Sequence, residues 1–394
     1  MSDKYMCKSN NNNSRLAYFT FFFNYCLFIL STCYASVSTA ADVLVVVPDE
    51  SLYWSSVYEP MVPVAEQLDI ELSVLRPKSI EGMNFVPELS EYLANNTKPD
   101  WVVWVARRTS PSEMLDLLEK HEIRSINISN PITELQETGL PQQKYTYWEA
   151  EITSSNFRAT YNMLSEVVKS APNFGLTPPY SLIGIAGVQY LKSAQKVTAA
   201  VKTASDEIPT LNLIQLIHSK WNRESSYQKT LALLSRHNRS MSQTQFGASS
   251  AIDLIWTGNI DLALGAVEAV EAYSAGSEVP APLVIGQGWH PSIFDQIAKG
   301  NIAMSVGGNH LHGLWALAMI YDHEQGNTLD TSPWDRVIVV EKYIASKDNV
   351  AQLTNIFDTD YWQSADIKQY TKTANEALSH YDFDVGLLVS KDEN

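Results

Sequence analysis

The 394-residue chain has three cysteines, and all of them, Cys7, Cys26 and Cys33, lie before residue 40. Beyond that point there is none, which excludes disulfide staples and a thiolate nucleophile from the rest of the chain. Basic charge is also scarce. Lys and Arg number 28 against 44 Asp and Glu, a net of −16, and this balance opposes nucleic acid or anionic lipid as a partner. Long apolar runs are confined to Leu16–Ser31, which is short for a membrane span and carries Asn24 inside it. The usual catalytic signatures are missing: there is no Gly-x-Ser-x-Gly elbow, phosphate loop or dinucleotide fingerprint. Gly184-Ile-Ala-Gly187 lacks the third spaced glycine. His310 and His312, two apart on an expected helix, point to different sides, so caps or packing explain them better than a metal does. No metal, cofactor or enzymatic activity is expected.

What is present begins with a leader. Lys4, Lys8 and Arg15 precede the apolar run, and Ser38-Thr39-Ala40 follows it with the small-x-small pattern of a cleavage site. Residues 1–41 therefore read as a cleaved secretory signal peptide, and the periplasm is the expected location. Without the leader's Lys4, Lys8, Arg15 and Asp3, the 28 basic and 44 acidic residues fall to 25 and 43, a net of −18. Leu30-Ser31-Thr32-Cys33 approaches a lipoprotein box, but Thr32 replaces the usual small residue, so a lipid anchor at Cys33 is the less favoured expectation. The mature chain is not expected to span a membrane.

From Asp42 onward, strand-like and helix-like segments alternate. Strands are expected over Val43–Val47, Glu71–Leu75, Trp101–Ala106 and Ile123–Ile128, with a short extended piece at Tyr145–Trp148. Helices are expected over Tyr53–Leu68, Pro87–Ala94 and Pro111–Lys120, from apolar residues at helical spacing. The alternation then restarts with strands at Leu182–Ile185, Leu213–Ile217, Leu254–Trp256, Leu283–Ile285, Ile302–Val306 and Arg336–Tyr343. Between them fall helices at Phe157–Lys169, Ser193–Ala204, Ser225–Arg236, Pro291–Lys299, His310–His323 and Val350–Phe357. The clearest junction is Asp253–Val270: an apolar strand, a turn through Thr257, Gly258 and Asn259, and a helix capped by Asn259 with Asp261 in its first turn. The fold class read from this pattern is α/β, with two doubly wound, mostly parallel sheets in succession.

In such sheets, ligands bind beyond the carboxyl ends of the strands, so the loops there supply candidate residues. Tyr53 and Trp54 follow the first strand and offer flat faces to a sugar ring, or else plug the sheet. Arg107 and Arg108 follow the third and suit an anionic group, or else form surface or inter-domain ion pairs. Asn127 stands in an apolar run and needs a partner for its amide, which a ligand or a loop of the second unit could supply. Ser129 lies just beyond it. In the second unit the matching positions are Glu151, Gln195 (with Gln189, Tyr190 and Lys192 nearby), Asn259, Asp261, Gln287, Trp289 and Asn309. A pocket lined by Asn, Gln, Asp and Trp would read hydroxyl groups and stack on a ring. Each position has a plain structural alternative, and the signal is their recurrence at strand ends.

With these residues in view, the chain resembles the ribose/galactose-type periplasmic binding proteins. The resemblance rests on the leader, the two consecutive α/β units, Asn259 before Leu262-Ala-Leu-Gly-Ala, and Val284-Ile-Gly followed by a Pro-containing helix start. Tyr53-Trp54, Asn127-Ile-Ser-Asn-Pro and Asp261-Leu-Ala-Leu-Gly-Ala-Val look most like the autoinducer-2-binding branch. The resemblance implies two lobes joined by a three-segment hinge, with crossings near Trp148–Glu151, Ser305–Asn309 and Ser332–Arg336. Lobe 1 would then comprise 42–148 and 309–331, and lobe 2 would comprise 149–308 and 332–394.

The pattern departs from the family where Gln195 or Lys192 replaces a lobe-2 arginine, where Gly288 stands for an aspartate, and where Gly307 or Gly308 stands at the middle crossing. These departures argue against the usual ribose or borate-diester ligands. The implied function is a monomeric solute-binding protein that closes on a small polar ligand, sugar or sugar-like signal. An inner-membrane sensor kinase or ABC permease would be its partner. A secreted enzyme on a two-lobed scaffold, or a scaffold that binds only protein, are the other classes considered.

Overall fold

The computed structural model describes residues 40–48, 52–76, 85–106, 111–189, 192–241, 252–275, 281–327, 329, 332–381 and 383–386. The expected leader lies outside them. In chain order the strands are β1 (Ala41–Val46), β2 (Ile70–Leu75), β3 (Trp101–Trp104), β4 (Arg124–Ser129), β5 (Trp148–Thr153), β6 (Tyr180–Ala186), β7 (Leu211–His218), β8 (Leu254–Thr257), β9 (Leu283–Gln287), β10 (Ile302–Gly307), β11 (Val337–Val339) and β12 (Tyr343–Ser346).

They form two six-stranded sheets. The first runs β11-β5-β4-β3-β1-β2 and is parallel throughout. The second runs β12-β10-β9-β8-β6-β7 and is parallel except for β12, which pairs antiparallel with β10. The central strands are buried on both faces because helices cover both sides, which is why they read as unbroken apolar runs. The two expected doubly wound units are both present.

Three differences from the expected elements have local causes. The helix expected over Tyr53–Leu68 is two helices, Leu52–Tyr58 and Met61–Gln67. Pro60 between them lacks the N–H that a continuous helix needs. The strand expected over Arg336–Tyr343 is also two, β11 in the first sheet and β12 in the second. Between them Glu341 pairs with Arg158, and Lys342 donates to Asn156 Oδ1 at 2.6 Å, so this charged stretch is held at the passage between sheets. Finally, β5 extends to Thr153, with Glu151 facing Asn127 on β4 and Val337 on β11. The chain therefore passes between sheets after Thr153, after Gly307 and after Val339. The expected positions were Trp148–Glu151, Ser305–Asn309 and Ser332–Arg336.

A fourth passage follows. Val350–Leu353 and Thr354–Phe357 pack near Pro291–Lys299 of the second lobe. The chain then returns to the first lobe, where Thr359–Ser364 lies on Met61–Gln67 and Gln67 donates to the Trp362 carbonyl. Asp322, fully buried in the helix His312–Glu324, fixes this returning tail. Its Oδ1 accepts from Thr373 N at 2.8 Å and Thr373 Oγ1 at 2.6 Å. Its Oδ2 accepts from Lys372 N at 2.7 Å and Tyr381 Oη at 2.9 Å. Phe383 stacks on Trp315, centroids 4.8 Å apart and planes at 7°. The tail is thus joined to the core of lobe 1, and not to lobe 2, where the resemblance places residues 332–394.

Removing a carboxylate that accepts four hydrogen bonds takes that acceptor from each donor, and losing buried hydrogen bonds to a charged group is costly. Asp322→Ala is expected to lower unfolding stability by about 3 kcal/mol, measured by urea denaturation. A loss below about 1 kcal/mol would show that the tail is not anchored through this side chain.

Candidate functional site

The carboxyl ends of the two sheets face one another. Glu59, just past the first helix of lobe 1, acts electrostatically on His290, which follows β9 in lobe 2. Lys196, in the helix after β6, does the same to Glu151 on β5. The helix Leu52–Tyr58 also touches Asn309–Leu311, where the chain crosses between lobes. The strand-end loops of the two lobes therefore approach one another.

Tyr53 and Asn309 meet directly, the Asn309 amide donating to the Tyr53 hydroxyl. Burial pushes the Tyr53 phenol up to about 12, partly opposed by the hydroxyl of Ser129. Ser129 ends β4 with φ of +70°, a left-handed conformation that a non-glycine residue holds only under constraint. Trp54 is half-buried and meets the Tyr53 ring edge-on, centroids 4.7 Å apart.

Several candidates are engaged within the protein. Asn127 Oδ1 accepts from Ala106 N at 2.7 Å, and its Nδ2 donates to Asn130 O at 2.8 Å and to Glu151 Oε2 at 3.1 Å. Its amide thus finds partners in its own lobe, and a ligand is not needed to satisfy it. Glu151 also accepts from Ile132 N at 3.1 Å, so the pair pins the loop after β4. Asn259 caps its helix through Leu262 N at 2.8 Å, as its sequence position suggested. Gln287 donates to Thr160 Oγ1. Trp289 is 2% exposed, donates to Ser305 O at 3.0 Å and lies flat on Gly307. It is a core plug and not a stacking surface. Asp261 is exposed, and exposed Gln195 donates to Gln189 O at 3.2 Å. Arg107, Arg108 and Tyr190 lie outside the described residues.

One residue was missed. Trp221, half-buried in the loop after β7, lays its six-membered ring over the end of β6. A Cβ on Gly187 would stand 2.0 Å from that ring, and one on Gly258, after β8, would stand 3.4 Å from it. The signal was available: an aromatic residue beyond a strand end, the same rule that marked Trp54 and Trp289.

The passages carry a second group of buried polar residues. Ser154 Oγ lies 3.0 Å from His312 Nε2, while His312 Nδ1 and His310 Nε2 have no hydrogen-bond partner among the described residues. Burial pushes both imidazoles down to about 3, with Lys342 adding to the effect on His312. Among the described residues no carboxylate meets His312 Nδ1, so the third member that orients a nucleophile's base is not found there beside the Ser154–His312 pair. Among the described residues, no group of three or more His, Cys, Asp or Glu could hold a metal ion.

The fold has clear relatives among solved structures. A periplasmic sugar-binding protein from Pseudomonas fluorescens aligns with a TM-score of 0.71 at 21% identity, covering 88% of this chain and 99% of that one. An ABC transporter periplasmic solute-binding protein from Actinobacillus succinogenes, with bound D-allose, gives 0.64 at 16% identity, covering 79% and 99%. A solute-binding protein from Bacillus halodurans, with bound myo-inositol, gives 0.61 at 14% identity, covering 82% and 100%. No family model matches the chain, and no curated protein does. At these identities the likeness establishes architecture: two parallel-sheet lobes in the manner of the type I periplasmic binding proteins.

Burial pushes the Glu151 carboxyl up from 4.5 to about 7, against the lowering effects of Ile132 N, Asn127 and Lys196. As pH rises between those values, the unfolded chain loses this proton while the folded protein keeps it. Wild-type stability therefore falls from about pH 4.5 to about 7 and is level above. Glu151→Gln keeps an acceptor for both donors and removes the titration. It is expected to be more stable than wild type above pH 7 by on the order of 3 kcal/mol, with the gap closing toward pH 4.5. Urea midpoints that track each other across that range would refute this.

Proposed function

We propose that this protein is a periplasmic solute-binding protein that closes on a small polar ligand, sugar or sugar-like. The carrying observation is the pair of half-buried indoles at facing strand ends, Trp54 in lobe 1 and Trp221 in lobe 2. Indole faces on opposite walls of a cleft suit the C–H faces of a ring whose hydroxyls point elsewhere. Solved structures of like fold hold D-allose and myo-inositol, which supports a polyol-type ligand here. The apolar leader at Leu16–Ser31 supports export. No described helix is long and apolar enough to cross a membrane.

The closed form is read by an inner-membrane partner, an ABC permease or a sensor kinase. ABC-linked relatives of like fold favour the first. The autoinducer-2-type sequence pattern around Tyr53-Trp54 and Asp261 favours the second. Residues 42–153 and 309–339, with the returning tail, form lobe 1 in this reading, and the remainder forms lobe 2. Either partner needs ligand to bind the closed state better than the open one.

The test is a thermal-shift panel of neutral sugars and polyols, followed by titration of any that stabilise. Trp54→Ala and Trp221→Ala should each weaken binding about five- to tenfold, the scale of one aromatic contact. Trp334→Ala, which removes a 65% exposed indole outside the cleft, should leave binding unchanged. Equal loss in all three variants would place the ligand elsewhere.

A further inference from the structure

Lys342 lies on the third passage between the lobes. The residue is half-buried overall, and its ammonium is the enclosed end. Its hydrogen bond among the described residues goes to a neutral acceptor, Asn156 Oδ1 at 2.6 Å. Among the described residues no carboxylate pairs with it, and neighbouring Glu341 is taken by Arg158. Burying an ammonium without a counter-charge is costly, typically several kcal/mol in effective terms. Burial accordingly holds Lys342 down to about 8.

The surroundings add to the positive potential. Asn156 is the first residue of the helix Asn156–Ser170, and His312 is the first residue of the helix His312–Glu324. Ser154 bridges from the first passage to His312 at 3.0 Å. Two helix N-termini, each carrying partial positive charge, thus meet near one uncompensated ammonium. His312 is fully buried with Nδ1 unpartnered. In the tautomer in which Ser154 donates to Nε2, the neutral ring carries its proton on Nδ1 and has one donor left to offer.

We propose that the hinge is an anion site: Lys342, with His312 oriented by Ser154 and with the two helix starts, accepts one carboxylate-sized negative group. Every one of the three passages contributes a residue to it, so an anion seated there favours the arrangement of passages seen here over one in which they separate. The group arrives either as a free small anion or as the carboxylate of an acidic sugar in the cleft. The second source rests on the sugar-binding reading above, and the first does not.

Sodium formate is the probe for the site, and glucuronate against glucose is the probe for its source. Melting temperature is read for wild type, Lys342→Gln and Lys342→Arg over a titration of each, at constant ionic strength. Formate should stabilise wild type and Lys342→Arg in a saturable way, with half-saturation in Lys342→Gln raised at least about thirtyfold, the lower end for truncating one side of a buried charge pair. Stabilisation by glucuronate alone, lost in Lys342→Gln, assigns the same site to a ligand-borne carboxylate. In anion-free buffer Lys342→Gln should melt at or above wild type, because it removes an unpaired charge. This arm also shows that the variant folds. If neither formate nor glucuronate separates wild type from a folded Lys342→Gln, the anion site is overturned. If glucose and every other neutral sugar fail while formate succeeds, the sugar-binding reading falls and the site stands.

Discussion

Two sheets that exchange strands must send backbone and polar side chains through a buried zone three times, and each of those groups must find a partner. This requirement organises the molecule. Ser154 meets His312, Asn309 meets Tyr53, and Lys342 meets Asn156, so each passage is tied to an element of another segment. The rest of the packing follows: Trp289 fills the space beside Gly307 and lies near His310, and Phe357 stacks on His310 at 5.0 Å. Where pairing is incomplete among the described residues, at one ring nitrogen of each histidine and at the lysine charge, the unpaired groups gather at the passages about which the proposed closure would bend.

The same requirement bears on the binding surface proposed at the strand ends. Asn127 and Glu151 spend their hydrogen bonds on the loop after β4, and Asn259 spends its own on a helix start. They shape the cleft without presenting free groups to it. What remains presented is aromatic, Trp54 and Trp221, and the exposed polar Asp261. This division between shaping and contacting residues is expected of a site placed on rigid elements.

Much of the fold was legible because its signals are local. Continuous apolar runs such as Val43–Val47 and Leu254–Trp256 mark strands covered on both faces, and Asn259 marks a helix start. The break at Pro60 was equally local and could have been read. The division of Arg336–Tyr343 between two sheets could not, because it depends on Arg158 and Asn156, distant in sequence. For the site, residue type told less than position. A buried Asn in an apolar run does require a partner, but nothing in the sequence says whether that partner is Ala106 or a ligand. Trp289 and Trp221 look alike as aromatics beyond strands, and each lies over a glycine, Gly307 and Gly187; what distinguishes plug from platform is burial, nearly complete for Trp289 and partial for Trp221.

The returning tail changes how the lobes can move. A three-stranded hinge resists twisting but bends freely when its segments flex together. Here a fourth segment leaves lobe 2 at Phe357, and Asp322 and Trp315 hold it to lobe 1 through Thr373, Tyr381 and Phe383. Val385 lies against Gly308, 3.1 Å from where a Cβ would stand, so the tail's far end also meets the middle passage. Opening by rotation about the passages must therefore either carry the tail along as part of lobe 1, flexing near Asp358, or strip it from the helix His312–Glu324. The first route breaks few contacts, whereas the second exposes a buried carboxylate and a stacked indole. On the proposed closure, the balance of these costs favours bending just after Phe357, whose ring is packed between His310 and Phe294.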